Sequence, residues 1–184
     1  MDEINNVIVK NFLITVFLTL THINSFSQVL SMEEKKLFDL IMDYRREKGL
    51  PAIQISKSLT YVAQSHVVDL FDNNPNKGNC NTHSWSSNGT WSECCYTPDH
   101  AQADCMWSKP RELTSYSGNG YEIAFYTSGE ATAIDALNTW KSSSGHNEVI
   151  INVGKWDDYN WNSIGIGIHK GYAVVWFGHE FDSN

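Results

Sequence analysis

Four cysteines lie close together in this 184-residue chain, at Cys80, Cys94, Cys95 and Cys105. Neighbouring cysteines rarely bond to each other, because the linking peptide would be strained. Two pairings therefore stay open: 80–94 with 95–105, and 80–95 with 94–105. Histidines between the thiols make a zinc site the alternative, but the thiols do not form repeated C-x-x-C pairs. We predict two disulfides, as expected for a chain exported to an oxidising compartment.

The N-terminal residues have the pattern of a secretory signal peptide. Lys10 precedes an apolar run from Phe12 to Leu20, and small residues follow at Ser25 and Ser27. This spacing predicts cleavage after Ser27, which leaves residues 28–184 as the mature chain. The apolar run is too short to cross a bilayer, which takes ~20 residues. We predict a secreted, extracytoplasmic protein whose mature chain has no transmembrane segment; an uncleaved anchor is the alternative.

Charge and length limit the class of protein. The net charge is −8 and the basic residues form no run, which argues against nucleic acid and anionic membrane surfaces as partners. Residues 28–184 fit a single domain. Residues 76–119 hold the cysteines and show no sustained period. We expect them to be a cysteine-rich insertion, because a loop this long in a compact domain needs such staples.

Two helices are predicted near the start of the mature chain. Ser31-Met32-Glu33-Glu34 is a capping box, and the apolar face that follows it ends at Gly49. Ser56 or Ser58 begins the second helix, in which His66 falls on the apolar stripe. We interpret His66 as a hydrogen-bonded core histidine, in preference to a role in a site.

A strand and a third helix follow the insertion. Residues 121–126 have the composition of a strand, and Thr127 or Ser128 is predicted to cap the helix. Its predicted buried stripe consists of Ala133, Ile134, Leu137 and Trp140. The serines and glycine after Trp140 are expected to break the helix and to present His146. Residues 149–153 are a short apolar segment.

The C-terminal part has the pattern of a β-hairpin. Residues 164–168 alternate isoleucine with glycine, which is typical of a half-buried strand. Lys170-Gly171 is a tight turn, and residues 172–178 form the predicted partner strand.

With these elements placed, the chain resembles the CAP superfamily of cysteine-rich secretory proteins, antigen 5 and pathogenesis-related-1 proteins, in its short bacterial form. Four segments carry the resemblance: Asp43-Tyr44-Arg45 with Gly49-Leu50; Leu59, Ala63, His66 and Asp69; Trp140-x2-Ser143-x-Gly145-His146; and Gly165-Ile166-Gly167 with Tyr172 and Phe177-Gly178. The resemblance implies an α+β fold, a three-layer α-β-α sandwich with a central antiparallel sheet. It also implies a secreted domain of a family associated with lipid or sterol binding, cell-surface interaction and, in few members, proteolysis.

The family's cleft often holds two histidines and two acids. By motif, His83 and His146 are the histidines and Glu122 is the first acid, although Tyr121 and Ile123 replace the usual neighbours of that acid. Ser143 stands where the second acid would lie, as is common in the bacterial forms. The candidate site is therefore His83, Glu122 and His146, with one acid missing.

Two imidazoles and a carboxylate are the ligand set of an open zinc site, so Zn²⁺ or another divalent cation is the cofactor hypothesis. The alternative is a hydrogen-bonded polar cluster that shapes the cleft without metal. A metal-free acid–base pair, with His146 oriented by Glu122, is a third hypothesis. The neighbouring serines are not expected to be nucleophiles, because a Gly-x-Ser-x-Gly motif is missing.

Aromatic residues crowd the cysteine-rich insertion: Trp85, Trp91, Tyr96, Trp107 and Tyr116. Exposed rings on a rigid scaffold bind lipid, carbohydrate or peptide well, because they order a large area at low entropic cost. We predict an extracellular binding module and not an enzyme. A peptidase-like hydrolase that uses His83, Glu122 and His146 is the alternative function.

Overall fold

A computed structural model describes residues 29–183 of the chain, so the predicted signal peptide, residues 1–27, lies outside the described residues. Within residues 29–183 the elements in chain order are α1 (Met32–Glu47), β1 (Gln54–Ile55), α2 (Lys57–Asn73), α3 (Ala103–Trp107), α4 (Lys109–Leu113), β2 (Gly120–Tyr126), α5 (Ala133–Ser142), α6 (Ser144–Ile151), a 3₁₀ turn (Gly154–Trp156), β3 (Ser163–His169) and β4 (Tyr172–Gly178).

The strands form one sheet in the order β1-β3-β4-β2. Neighbouring long strands are antiparallel, as predicted, since β4 is antiparallel to both β3 and β2; the two-residue β1 adds to β3 in the parallel direction. The predicted hairpin turn is present, with Lys170 in the left-handed region at a φ of 51°. Strand β2 lies at the edge of the sheet, with β4 on one side of it.

The sheet is the middle of three layers. Alternate residues of β4 point to opposite faces: Val175 and Phe177 pack with α1, α5 and α6, whereas Val174 and Trp176 pack with α2 and the cysteine-rich segment. Each face therefore has its own apolar core. The predicted α+β sandwich is confirmed.

The first two helices begin where the sequence predicts. Ser31 and Glu34 make both hydrogen bonds of the capping box. Ser56 caps α2 by accepting a hydrogen bond from the backbone N–H of Leu59. His66 on α2 is fully buried.

The predicted start of the third helix is wrong. Helix α5 begins at Ala133, and Thr132 caps it by accepting from the backbone N–H of Asp135. The residues before it are held by the hairpin turn instead: Thr127 N–H donates to Gly171 O at 2.9 Å and Ala131 N–H donates to Lys170 O at 2.7 Å. Because the helix starts later, its buried stripe is Ala133, Ala136, Leu137 and Trp140, and Ile134 is exposed.

The chain does break after Trp140, but a new helix follows at once. Ser143 ends α5 and begins α6, and α6 carries His146 in its first turn. Residues 149–151 are the end of this helix, and Asn152 terminates it in the left-handed conformation. Trp140 is fully buried, and its indole N–H donates to Ala124 O at 3.0 Å.

The cysteine-rich segment is closed by two disulfides, Cys80–Cys95 and Cys94–Cys105, the second of the two pairings left open by the sequence. Trp85, Tyr96 and Tyr116 are buried in the core beneath it, so these three of the five aromatic residues have a structural role and are not an exposed surface. Trp91 and Trp107 are partly buried against the same core. Within residues 29–183, no helix is both long and apolar enough to cross a bilayer.

Candidate functional site

A cleft of about 390 Å³ lies between the cysteine-rich segment and α6, with strand β2 as its floor. The cysteine-rich wall consists of His83, Tyr96, His100, Met106 and Trp107; the floor is Tyr121, Glu122 and Ile123; and the opposite wall is Ser143, Gly145, His146, Val149, Lys155 and Trp156. The disulfides hold the first wall and the sheet holds the floor, so the cleft is built on rigid elements.

The Glu122 carboxylate lies beneath this floor and has no exposed side-chain surface. Its Oε1 is 2.6 Å from His66 Nδ1 and its Oε2 is 2.8 Å from His83 Nδ1. Burial by itself would raise the pKa of Glu122, but the charge and hydrogen bond of His66, followed by those of His83, outweigh burial and lower that pKa. Glu122 is therefore an ionised, doubly hydrogen-bonded anchor at neutral pH.

His66 is the partner that the sequence analysis did not assign to the site. Its Nε2 is 2.9 Å from the carbonyl oxygen of Ser84, while its Nδ1 faces Glu122. Both partners carry acceptor oxygens, so each ring nitrogen of His66 has a hydrogen-bond partner in the core. The ring stacks on Trp85 at a centroid distance of 4.2 Å and an interplanar angle of 7°, which fixes its plane beside Glu122. The only sequence signal was the inward position of His66 on α2.

His83 lies above Glu122 and is oriented by it. Its Nδ1 donates to the carboxylate, and its side chain is 17% exposed. Asn81 fixes the backbone, because its Oδ1 accepts from His83 N–H at 3.0 Å. Within residues 29–183, no hydrogen bond involves His83 Nε2. The carboxylate thus fixes the tautomer and leaves Nε2 for a ligand in the cleft.

His146 faces the cleft from the opposite wall. Its Nδ1 lies 2.9 Å from Ser143 Oγ, and not near Glu122 as the acid–base hypothesis had it. Burial lowers the pKa of His146, and the charge of the nearby His83 lowers it further. His146 is therefore a neutral imidazole at pH 7.

The structure thus brings the three predicted residues to one place but in unequal roles. His83 and His146 line the cleft, and the Glu122 side chain lies behind His83. His100, one of the histidines between the cysteines, and Lys155, which the sequence did not single out, are further basic residues of the lining. Among the side chains of residues 29–183, no group of three or more His, Cys, Asp and Glu is placed to hold a metal ion.

The family model of the cysteine-rich secretory proteins, CAP, matches residues 38–175, which covers both histidines and the acid. The chain belongs to the CAP family. In this CAP protein the match extends from α1 to β4 and includes the whole cysteine-rich segment. A comparison with curated proteins finds no match.

Solved structures share the fold of this CAP protein at low sequence identity. An outer surface protein of Borrelia burgdorferi has a TM-score of 0.54 at 18% identity, over 83% of this chain and 96% of that one. An extracellular SCP-domain protein of Bacillus anthracis has a TM-score of 0.54 at 18% identity, over 80% of this chain and 40% of that one. A cysteine-rich secretory protein of Staphylococcus aureus has a TM-score of 0.52 at 13% identity, over 80% and 39%. At these identities the likeness shows the fold alone.

Proposed function

We propose that this CAP protein is exported by a signal peptide cleaved after Ser27, and that residues 28–184 act outside the cell as a single binding domain. The ligand site is the cleft between His83 and His146. The solved structures named outer surface and extracellular proteins support export, and so do the two disulfides. The observation that carries the proposal is the Glu122–His83 pair, which fixes an imidazole with a free Nε2 at the cleft.

A binding site suits this arrangement because its polar groups are few and rigidly placed within aromatic walls. Glu122 and His66 hold His83, Ser143 contacts His146, and Tyr121 packs against Trp156 at a centroid distance of 5.1 Å. The side chains that meet a ligand are therefore ordered before it arrives, which lowers the entropic cost of binding.

Filling the cleft is expected to abolish ligand binding. A Cβ at Gly145, on the cleft wall, meets no atom within 4 Å, so Gly145→Phe places a ring in the cleft without disturbing the fold. Gly129 has equally open surroundings and lines a different cavity, so Gly129→Phe is the matched control.

The measurement is an NMR titration of ¹⁵N-labelled protein with decanoate, a chitin tetrasaccharide and a mixture of capped pentapeptides. We expect at least one probe to shift the amides of Tyr121 and His146 in the parent protein and in Gly129→Phe, and not in Gly145→Phe. If no probe shifts these amides, or if Gly145→Phe responds like the parent, the cleft is not the ligand site.

Hydrolysis is the second candidate function, since a histidine oriented by a buried carboxylate is also the arrangement of a general base. Turnover of a probe in the same titration, lost in His83→Gln and retained in Gly129→Phe, would establish the hydrolase. Binding without turnover supports the binding module.

Metal binding at His83, Glu122 and His146 stays a prediction. In the form that agrees with the hydrogen bonds, His83 Nε2 and a ring nitrogen of His146 would be the ligands, and Glu122 would accept the Nδ1–H of His83 and orient it. We expect calorimetry with ZnCl₂ to show one site that is lost in the double variant His83→Ala, His146→Ala. In Glu122→Gln, zinc affinity should fall by about 10- to 100-fold. Absence of zinc binding by the parent protein would refute the metal site and leave the binding module standing.

A further inference from the structure

The floor of the cleft is the open edge of the sheet. Among residues 29–183, strand β2 pairs with β4 along one side only, and its residues Tyr121 to Ile123 form the floor. An edge strand presents unpaired N–H and C=O groups, which are a template for another strand. The direction of these groups along β2 therefore decides what the cleft can hold.

The direction of the peptide groups of β2 follows from a hydrogen bond that Trp140 makes to this strand. Its indole N–H donates to Ala124 O, so the peptide groups of Ala124 point away from β4. Residues two apart in a strand point their backbone groups to the same side, so those of Glu122 do the same. Strand β4 indicates the same direction. Its Gly178 O accepts from Asn162 N–H on the β3 side, and so points away from Gly120, the residue of β2 with which Gly178 pairs.

The exposed surface of Glu122 indicates that its backbone N–H and C=O groups face the cleft. The residue as a whole is 8% exposed, although its side chain is 0% exposed, so the exposed surface is its backbone. No loop or side chain in residues 29–183 bonds to Glu122 N–H or C=O. An accessible donor and acceptor thus lie side by side on the floor of an aromatic cleft.

We propose that the ligand of this cleft is a short extended peptide with an acidic residue, which adds to β2 as an antiparallel strand. This inference rests on the proposed binding function and names its ligand class. One peptide residue exchanges both N–H···O bonds with Glu122, as in the hydrogen-bonded pair of an antiparallel ladder. The pairing stops at Ala124, because the Trp140 indole already occupies that carbonyl.

The walls define the side chains of this peptide. Residues opposite each other in an antiparallel pair point to the same face, so the residue paired with Glu122 points towards His83, Tyr96 and His100. Its two neighbours point to the face of Tyr121 and Ile123, where Val149 and Trp156 line the cleft. The paired position is therefore polar and the flanking positions are apolar.

The charges of the cleft lining favour an acidic side chain on the peptide residue that pairs with Glu122. Among the described residues that line the cleft, Glu122 is the only carboxylate, and its side chain is covered by His66 and His83. Besides His83, the wall that the paired residue faces contains the basic residue His100. An aspartate or glutamate at the paired position meets N–H groups and no exposed carboxylate, whereas a lysine there meets only basic and aromatic groups.

The test uses two mixtures of N-acetylated, C-amidated pentapeptides with randomised apolar flanks, one with a central aspartate or glutamate and one with a central lysine. We expect the acidic mixture to protect the Glu122 amide from hydrogen exchange and to bind at least tenfold more tightly than the lysine mixture. In the tightest peptide, N-methylation of the central residue should weaken binding at least tenfold, because it removes the N–H that reaches Glu122 O. N-methylation of the next residue should change affinity less than threefold, since that N–H points away from β2.

The outcomes separate this inference from the proposed function. Equal effects of the two methylations, or equal binding of the two mixtures, overturn the strand pairing. If Gly145→Phe blocks the binding of decanoate or the tetrasaccharide while neither peptide mixture binds to the parent protein, the result supports the proposed binding cleft and overturns the proposal that its ligand is a peptide. Peptide binding that Gly145→Phe leaves unchanged overturns both proposals.

Discussion

Glu122→Gln is expected to lower the free energy of unfolding by about 3 kcal/mol at pH 7, the order of magnitude for leaving a buried donor of a charge-assisted hydrogen bond without its acceptor. The carboxylate accepts from two imidazoles, and its side chain is fully buried. Glutamine keeps the shape but offers one acceptor and one NH₂ group. One of the two histidine N–H groups then faces a donor, and both imidazoles lose the negative charge that they face.

The pH dependence gives this prediction a second readout. The folded-state pKa of Glu122 is lower than its ordinary value of 4.5. A carboxylate of this kind stabilises the fold fully above its unfolded-state pKa, and the stabilisation is lost as the pH falls through the folded-state value. The difference between the parent and Glu122→Gln should therefore be largest at neutral pH and should shrink below pH 4.5.

Urea unfolding of both proteins at pH 7 and at pH 3 measures the difference. Glu130→Gln is the control, because Glu130 lies on the surface with its side chain 77% exposed, 3.7 Å from Lys170. It should leave the urea midpoint unchanged. A Glu122→Gln protein as stable as the parent at pH 7 would show that the two histidines do not depend on the charge of Glu122.

Gly165→Ala is expected to destabilise the protein by about 3 kcal/mol or more, through overpacking that the surroundings cannot relieve. A methyl group at this position would overlap the backbone of Leu59 and Thr60 on helix α2. A side chain could rotate away, but a helix backbone in the middle of the core can only be pushed off the sheet. Gly167 has the same relation to the backbone of Ala63 and Gln64 one turn further along α2.

Gly145→Ala is the matched control, since its added methyl group meets no atom within 4 Å. Thermal and urea unfolding should show a large loss of stability for Gly165→Ala and no loss of stability for Gly145→Ala. If Gly165→Ala does not accumulate as a folded protein, its yield in the soluble fraction relative to Gly145→Ala reports the same effect. Equal stability of the two variants would contradict the close approach of α2 to β3.

Local signals in the sequence were sufficient for most of the elements. The capping box at Ser31 and the hairpin turn at Lys170 are encoded by neighbouring residues, and both are present in the structure. The start of α5 was missed, because the backbone of residues 127–131 is bonded to a turn that lies about forty positions later in the chain. Contacts of this separation leave no local pattern.

Strand β3 shows the same limit. Its alternation of isoleucine and glycine predicted a strand with one solvent face, yet residues 163–167 are buried on both faces. The glycines are not a polar, exposed side but the surface against which the α2 backbone packs. A glycine in the sequence does not indicate whether water or a helix lies next to it.

The sequence by itself determined the family and, through the family, the sandwich, because the order of the motifs can be read without coordinates. It also named His83, Glu122 and His146 as candidate site residues. Only the tertiary structure decided which of these residues face the cleft. It selected one of two disulfide pairings, and it placed His66 against Glu122 across 56 positions of chain. It also turned the Glu122 side chain inward and its backbone outward. The physical reason is that a buried carboxylate must find donors, and the donors come from α2 and the cysteine-rich segment, which meet β2 only when the chain is folded.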